Sequence, residues 1–186
     1  MLKFVDTKVV FQEIPDEVTL AINISNCPCH CEGCHSAYLA NDVGAELSDS
    51  IVRGLIEDNK GISCIAFMGG DIDPIEIIFK AQLIKTEYPN LKVAWYSGKD
   101  QVDNNVLINR KFFDYIKIGP YIPNRGPLNN PNTNQRMYKI DHEFYHNFVD
   151  ITNTIITKSL GRATIPSSLS LPGKNISRKN TLRYSS

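Results

Sequence analysis

The chain has 186 residues, 42% of them hydrophobic, and its 20 Lys and Arg are balanced by 20 Asp and Glu. That length suits one domain with a substantial core and falls short of the roughly 250 residues of a closed eight-fold βα barrel. A formal net charge of zero leaves no surplus of cations to neutralise phosphates, which argues against nucleic acid or an anionic membrane as the main partner.

In chain order, residues 8–14 and 18–24 are rich in β-branched side chains. Pro15-Asp16-Glu17 separates them, so they read as two strands joined by a turn. The second strand delivers the chain to Cys27. Between Cys27 and His35 fall Cys27, Cys29, Cys31 and Cys34, together with His30 and His35. A free cysteine normally enters a core singly, as a small hydrophobe, so this density of soft ligands reads as a metal site. Cys27, Cys31 and Cys34 make C-x3-C-x2-C, with Cys29 between the first two. A cubane iron–sulfur cluster normally takes four thiolates, and three would leave one iron open to a small chelating molecule. The alternative is a zinc knuckle on any four of Cys27, Cys29, Cys31, Cys34, His30 and His35. Zinc ligands more often come as two separated pairs, and no second pair follows. The loop 25–46 is long enough to expect a function of it. Cysteines this crowded, with Cys64 left over, fit a reducing compartment. The N-terminus lacks a charged-then-apolar signal pattern and no apolar run is long enough to span a bilayer, so the expectation is a cytoplasmic protein.

Ser48 is placed to cap a helix over 49–59, with Ile51, Leu55 and Ile56 on one face and Gly61 beyond its end. Residues 64–68 form a short apolar run, expected as a buried strand, and Gly69-Gly70-Asp71 follows at once. Asp73, Pro74 and Glu76 announce the next helix as cap, first position and capping-box partner. Its predicted buried face is Ile75, Ile78, Phe79 and Leu83, and it should stop before Pro89. A strand over 91–96 ends in Ser97-Gly98, a helix lies within 103–110, and a strand over 115–118 ends at Gly119-Pro120. This alternation predicts an α/β domain with a parallel sheet covered by helices. Ligand-binding groups in such folds gather at the carboxyl ends of the strands. The cysteine loop, Gly69-Gly70-Asp71 and Ser97-Gly98 should therefore share one rim. Gly-Gly-Asp is also common as an ordinary turn, and so is Ser-Gly.

Residues 118–138 are rich in Pro, Asn and Gly and too long for a plain connection, so they are expected beside the site or as a solvated loop. A short helix over 141–147 and a β-rich segment over 148–157 complete the expected domain, 1–158. Residues 159–186 carry five Lys or Arg and no Asp or Glu. They are expected as a disordered basic tail, inert or docking on an acidic surface.

The C-x3-C-x2-C spacing resembles the signature of the radical S-adenosylmethionine superfamily. With Gly-Gly-Asp, Trp-Tyr-Ser-Gly, Phe-Asp-Tyr-Ile-Lys-Ile-Gly-Pro-Tyr and Thr-Asn-Gln-Arg in this order, the sequence is similar to the family that activates the anaerobic ribonucleoside-triphosphate reductase. The resemblance spans about residues 1 to 158 and implies a partial, open βα barrel. It implies a [4Fe-4S] cluster on Cys27, Cys31 and Cys34, and S-adenosyl-L-methionine at the open iron bordered by Gly33, Cys34, His35, Gly69, Gly70, Asp71 and Ser97. In that superfamily a Gly-Gly-Glu stretch receives the amino group of the methionyl part, and here Asp71 replaces the Glu. The implied activity is an oxidoreductase that cleaves S-adenosylmethionine to a 5′-deoxyadenosyl radical and generates a glycyl radical on the reductase large subunit. The radical is borne by the cofactor, so no side chain is expected as acid or base. A low-potential donor such as a flavodoxin would supply the electron. Two alternatives stand: another small radical S-adenosylmethionine enzyme, such as an activase of the pyruvate formate-lyase type, or a zinc-stabilised binding module.

Overall fold

A computed structural model describes residues 1–163. The chain opens with strands β1 (Lys3–Val10), β2 (Thr19–Ile24) and the two-residue β3 (Ala45–Glu46). Helix α1 (Asp49–Asp58), strand β4 (Cys64–Met68), helix α2 (Pro74–Glu87), strand β5 (Lys92–Tyr96), helix α3 (Asn104–Ile108) and strand β6 (Tyr115–Ile118) follow in alternation. Strands β7 (Arg136–Asp141) and β8 (Asn147–Asp150) and helix α4 (Thr152–Ala163) complete the described chain. All eight strands join one open, mixed sheet in the order β3-β1-β2-β4-β5-β6-β7-β8.

Its middle is the parallel run β2-β4-β5-β6, whose strands are linked by crossovers that carry α1, α2 and α3. Parallel strands need such crossovers and are covered on both faces, which is why these strands read as continuous apolar runs. Alternation sorts their side chains. Ile65, Phe67, Val93, Trp95 and Ile116 pack with Val52, Ile56, Ile77, Ile84 and Phe113 of the crossovers. On the other face the smaller Cys64, Ala66 and Ala94 pack with Tyr115, Met137 and Ile14. The outer strands are antiparallel, β1 and β3 at one edge and β7 and β8 at the other, so the sheet is not parallel throughout as expected.

Both anticipated helix caps are present. The Ser48 side chain accepts a bond from Ile51 N, and Asp73 Oδ1 accepts one from Glu76 N at 3.1 Å. The buried faces match expectation only in part, at Ile56 and Ile78. Helix α1 buries Val52 and Ile56 and leaves Ile51 exposed; α2 buries Ile77, Ile78, Ala81 and Ile84 and leaves Ile75 and Phe79 exposed. Apolar residues occur nearly all round α2, so periodicity could not choose the face that meets the sheet.

Further differences lie at the ends. The first strand is Lys3–Val10 rather than 8–14, because β2 pairs with it from Phe4↔Ile24 to Val10↔Thr19. Ile14 is fully buried, but from a loop. Residues 141–147, expected as a helix, form the turn of the β7–β8 hairpin. There Asp141 Oδ1 accepts from Glu143 N at 3.0 Å and Phe144 N at 3.3 Å, and the Arg110 guanidinium donates from Nε to His146 O at 2.9 Å. The β-rich segment 148–157 is split: β8 ends at Asp150, whose Oδ1 accepts from Thr152 N at 2.8 Å as α4 begins. Helix α4 also takes in residues 159–163, the start of the expected tail, and residues 164–186 lie outside the described residues. Among the described residues no helix is long and apolar enough to cross a membrane.

Candidate functional site

The carboxyl ends of β2, β4, β5 and β6 open onto one cavity of about 290 Å³. Beyond β2, the cysteine loop is pinned at its base: Asn26 N donates to Asn41 O and Cys27 N to Leu39 O, both at 2.9 Å. Asn26, His30 and Gly33 have φ of 58°, 44° and 66°, so the loop winds back on itself between cysteines, and Cys34 N donates to Cys31 O at 3.2 Å. Asparagine and glycine tolerate the left-handed region best. All five cysteines are free; Cys27, Cys29, Cys31 and Cys34 line the cavity half-exposed, while Cys64 is buried in β4.

Beyond β4 and β5 the opposite wall is tied together by one carboxylate. Asp71 is 3% exposed; its Oδ1 accepts from Ser97 Oγ at 2.5 Å and its Oδ2 from Gly98 N at 2.8 Å. Ser97 Oγ in turn accepts from Lys99 N at 3.1 Å. The indole of Trp95 donates through Nε1 to Gly69 O at 2.8 Å, so the core holds the Gly-Gly turn in place. Of the residues the sequence singled out, Cys27, Cys31, Cys34, His35, Gly69, Asp71 and Ser97 line the cavity. Gly33 and Gly70 do not: Gly33 lies against Tyr121 and Pro123, and Gly70, at φ 92°, lies against Ile77, where any Cβ would stand 2.5 Å from Ile77 Cδ1. The Asp71 carboxylate and the Ser97 hydroxyl are both engaged in joining two turns.

Lys117, Tyr121 and Gln135 are among the lining residues that were not singled out as site residues. Gln135 belongs to the Thr-Asn-Gln-Arg run, which folds the loop after β6 back over the rim. Asn134 Nδ2 donates to Pro120 O at 2.9 Å, and Thr133 Oγ1 accepts from Gln135 N at 3.1 Å. Lys117 is a buried lysine whose Nζ donates to Gly119 O at 2.6 Å and Ser97 O at 3.3 Å. A lysine in the apolar run Tyr-Ile-Lys-Ile is the signal that could have found it, since charged residues are rarely buried without a partner.

Burial pulls the Lys117 ammonium down to about 8, against the upward pull of Asp71 and of Cys31, Cys29 and Cys34. Cys29 is pushed up to about 12, first by burial and then by the charges of Asp71 and Cys27. The lysine shift has a stability consequence. Between pH 8 and 10.5 the unfolded chain binds the Lys117 proton and the folded chain does not, so folding gains stability as pH rises through this window. Buried thiols oppose this above pH 9, so the effect is read as a difference. Metal-free wild type is expected to gain roughly 3 kcal/mol on Lys117→Met between those pH values in urea unfolding. Parallel pH profiles would contradict the burial of this charge.

Cys27, Cys29, Cys31 and Cys34 are free thiols on one cavity. Such thiols are the donors of zinc sites and equally those of a thiolate-bound iron–sulfur cluster. Soft thiols on one wall of a roomy cavity, with polar turns on the other, fit that group and a chelating ligand beside it. Comparisons with protein-family models, curated proteins and solved structures found no match.

Proposed function

We propose that this chain is a cytoplasmic radical S-adenosylmethionine enzyme with the partial βα barrel of that class, and that it activates the anaerobic ribonucleoside-triphosphate reductase. The observation that carries this reading is the meeting of C-x3-C-x2-C with the Gly69–Asp71 and Ser97–Gly98 turns around one cavity at the carboxyl ends of parallel strands. Cys27, Cys31 and Cys34 would hold a [4Fe-4S] cluster. When bound, that cluster and S-adenosylmethionine supply a 5′-deoxyadenosyl radical able to take a hydrogen atom from a glycine.

The protein's own part is placement and exclusion. Asp71 locks the turns after β4 and β5 at a fixed separation, and Trp95 fixes Gly69 behind them. Tyr121, Pro127, Leu128 and Gln135 of the loop after β6 wall the cavity on a third side. No acid or base is required. Because the sheet is open, a folded partner can insert a glycine-bearing loop and itself shut out water, which matters where a radical attacks whichever C–H is held closest.

The test is direct. Protein prepared without oxygen, given S-adenosylmethionine, a low-potential reductant such as reduced flavodoxin, and the reductase large subunit, is expected to yield 5′-deoxyadenosine and a glycyl-radical signal on the reductase. Zinc without sulfide in such a preparation would overturn the proposal in favour of a zinc-stabilised binding module. A radical on pyruvate formate-lyase instead would move the assignment to another activase.

A further inference from the structure

Cys29 falls outside the C-x3-C-x2-C spacing, yet its side chain sits inside the cavity. Its Sγ lies 3.8 Å from Asp71 Oδ2, on the wall opposite the loop that carries it. Gly98 is shaped to receive it: a Cβ there would stand 2.6 Å from Cys29 Sγ and 3.1 Å from its Cβ. His30, the next residue, takes φ 44°, in the left-handed region. Cys29 thus reaches across the cavity to the corner formed by Asp71, Ser97 and Gly98. In the proposed function this corner borders the place of S-adenosylmethionine, so thiol and cofactor compete for it.

We infer that Cys29 is a built-in competitor of S-adenosylmethionine: without the cofactor its thiol fills the corner beside Asp71 and Gly98, and binding requires the thiol to swing out. The inference rests on the proposed function and assigns a role to a cysteine that the cluster does not need. A site free for only part of the time binds its ligand more weakly by that fraction. A thiol that vacates the corner one-tenth of the time weakens binding about tenfold.

The test uses cluster-loaded full chain, without reductant, so that no turnover occurs. Equilibrium dialysis with S-adenosylmethionine is expected to give binding about tenfold tighter for Cys29→Ala than for wild type, with Cys29→Ser in between. In wild type, adding S-adenosylmethionine is expected to raise the alkylation rate of Cys29, located by peptide mass spectrometry, as the thiol leaves its corner. Equal or weaker binding by both variants, or a Cys29 alkylation rate unmoved by the cofactor, overturns the inference. Should wild type carry iron and sulfide and bind S-adenosylmethionine while Cys29 makes no difference, only this inference falls. A wild-type preparation without iron and sulfide removes it together with the proposed function.

Discussion

Alanine at any one of Cys27, Cys31 or Cys34 is expected to strip iron and sulfide from anaerobically prepared protein and to lower 5′-deoxyadenosine formation by at least about 10³-fold. The three thiols are the whole ligand set proposed for the cluster, so loss of one leaves two irons without a protein ligand. Cys64→Ala is the matched control. That thiol is buried in β4 and does not line the cavity, with Sγ 3.6 Å from Ile65 O, and burial pushes it up to about 12. Its removal should cost on the order of 1 kcal/mol in packing and leave iron, sulfide and turnover in place. Iron and sulfide retained in Cys31→Ala would show that another residue takes its place, Cys29 being the thiol within reach of the same cavity.

Trp95 is expected to give the largest loss of stability in the sheet. It is 1% exposed, sits between Phe67 of β4 and Ile116 of β6, and lies 6.5 Å from the Phe113 ring between centroids. Trp95→Ala should lower the unfolding free energy by about 3–5 kcal/mol, the range for emptying a large aromatic site. Against a total of about 5–15 kcal/mol for a domain, that leaves the protein marginal. Trp95→Phe keeps most of the packing but strands the Gly69 carbonyl, at a cost of about 1–3 kcal/mol. Urea unfolding followed by circular dichroism measures both, since the substitution removes the only tryptophan. A loss under about 1 kcal/mol for Trp95→Ala would contradict the burial described.

The strand–helix alternation was legible because parallel strands are buried on both faces and their helices carry local start signals. Ser48 and Asp73 cap α1 and α2 as read, since a cap depends on residues within one turn. Ile75 and Phe79 misled because the face α2 buries is decided by the sheet beneath it. Helix α4 misled for a related reason: Thr152, Thr154, Ile155, Ile156 and Thr157 favour strands, and their place after Asp150 overrides that preference. In the site, the meeting of Cys27, Cys29, Cys31 and Cys34 at one cavity was legible because all four lie on one short loop. The role of Asp71 was only half legible, since its bonds run to Ser97 and Gly98 on the next strand's turn. Lys117 was missed for the same cause: the carbonyls of Ser97 and Gly119 that hold it come together only through the β5–β6 pairing and the turn beyond it.

From β2 to β8, apart from the two-residue β3, strands lie side by side in the order in which a ribosome would produce them. A nascent chain can therefore lay each new strand against an edge already formed, with no need to open finished pairings. The cysteines emerge early, whereas Ser97, Lys117 and Gln135 on the surrounding walls arrive roughly 60 to 110 residues later, several seconds at ordinary rates of synthesis. Under the proposed function, assembly of the cluster would thus have a window before the chamber is finished, during which delivery machinery could reach the thiols from the side that the later strands will cover.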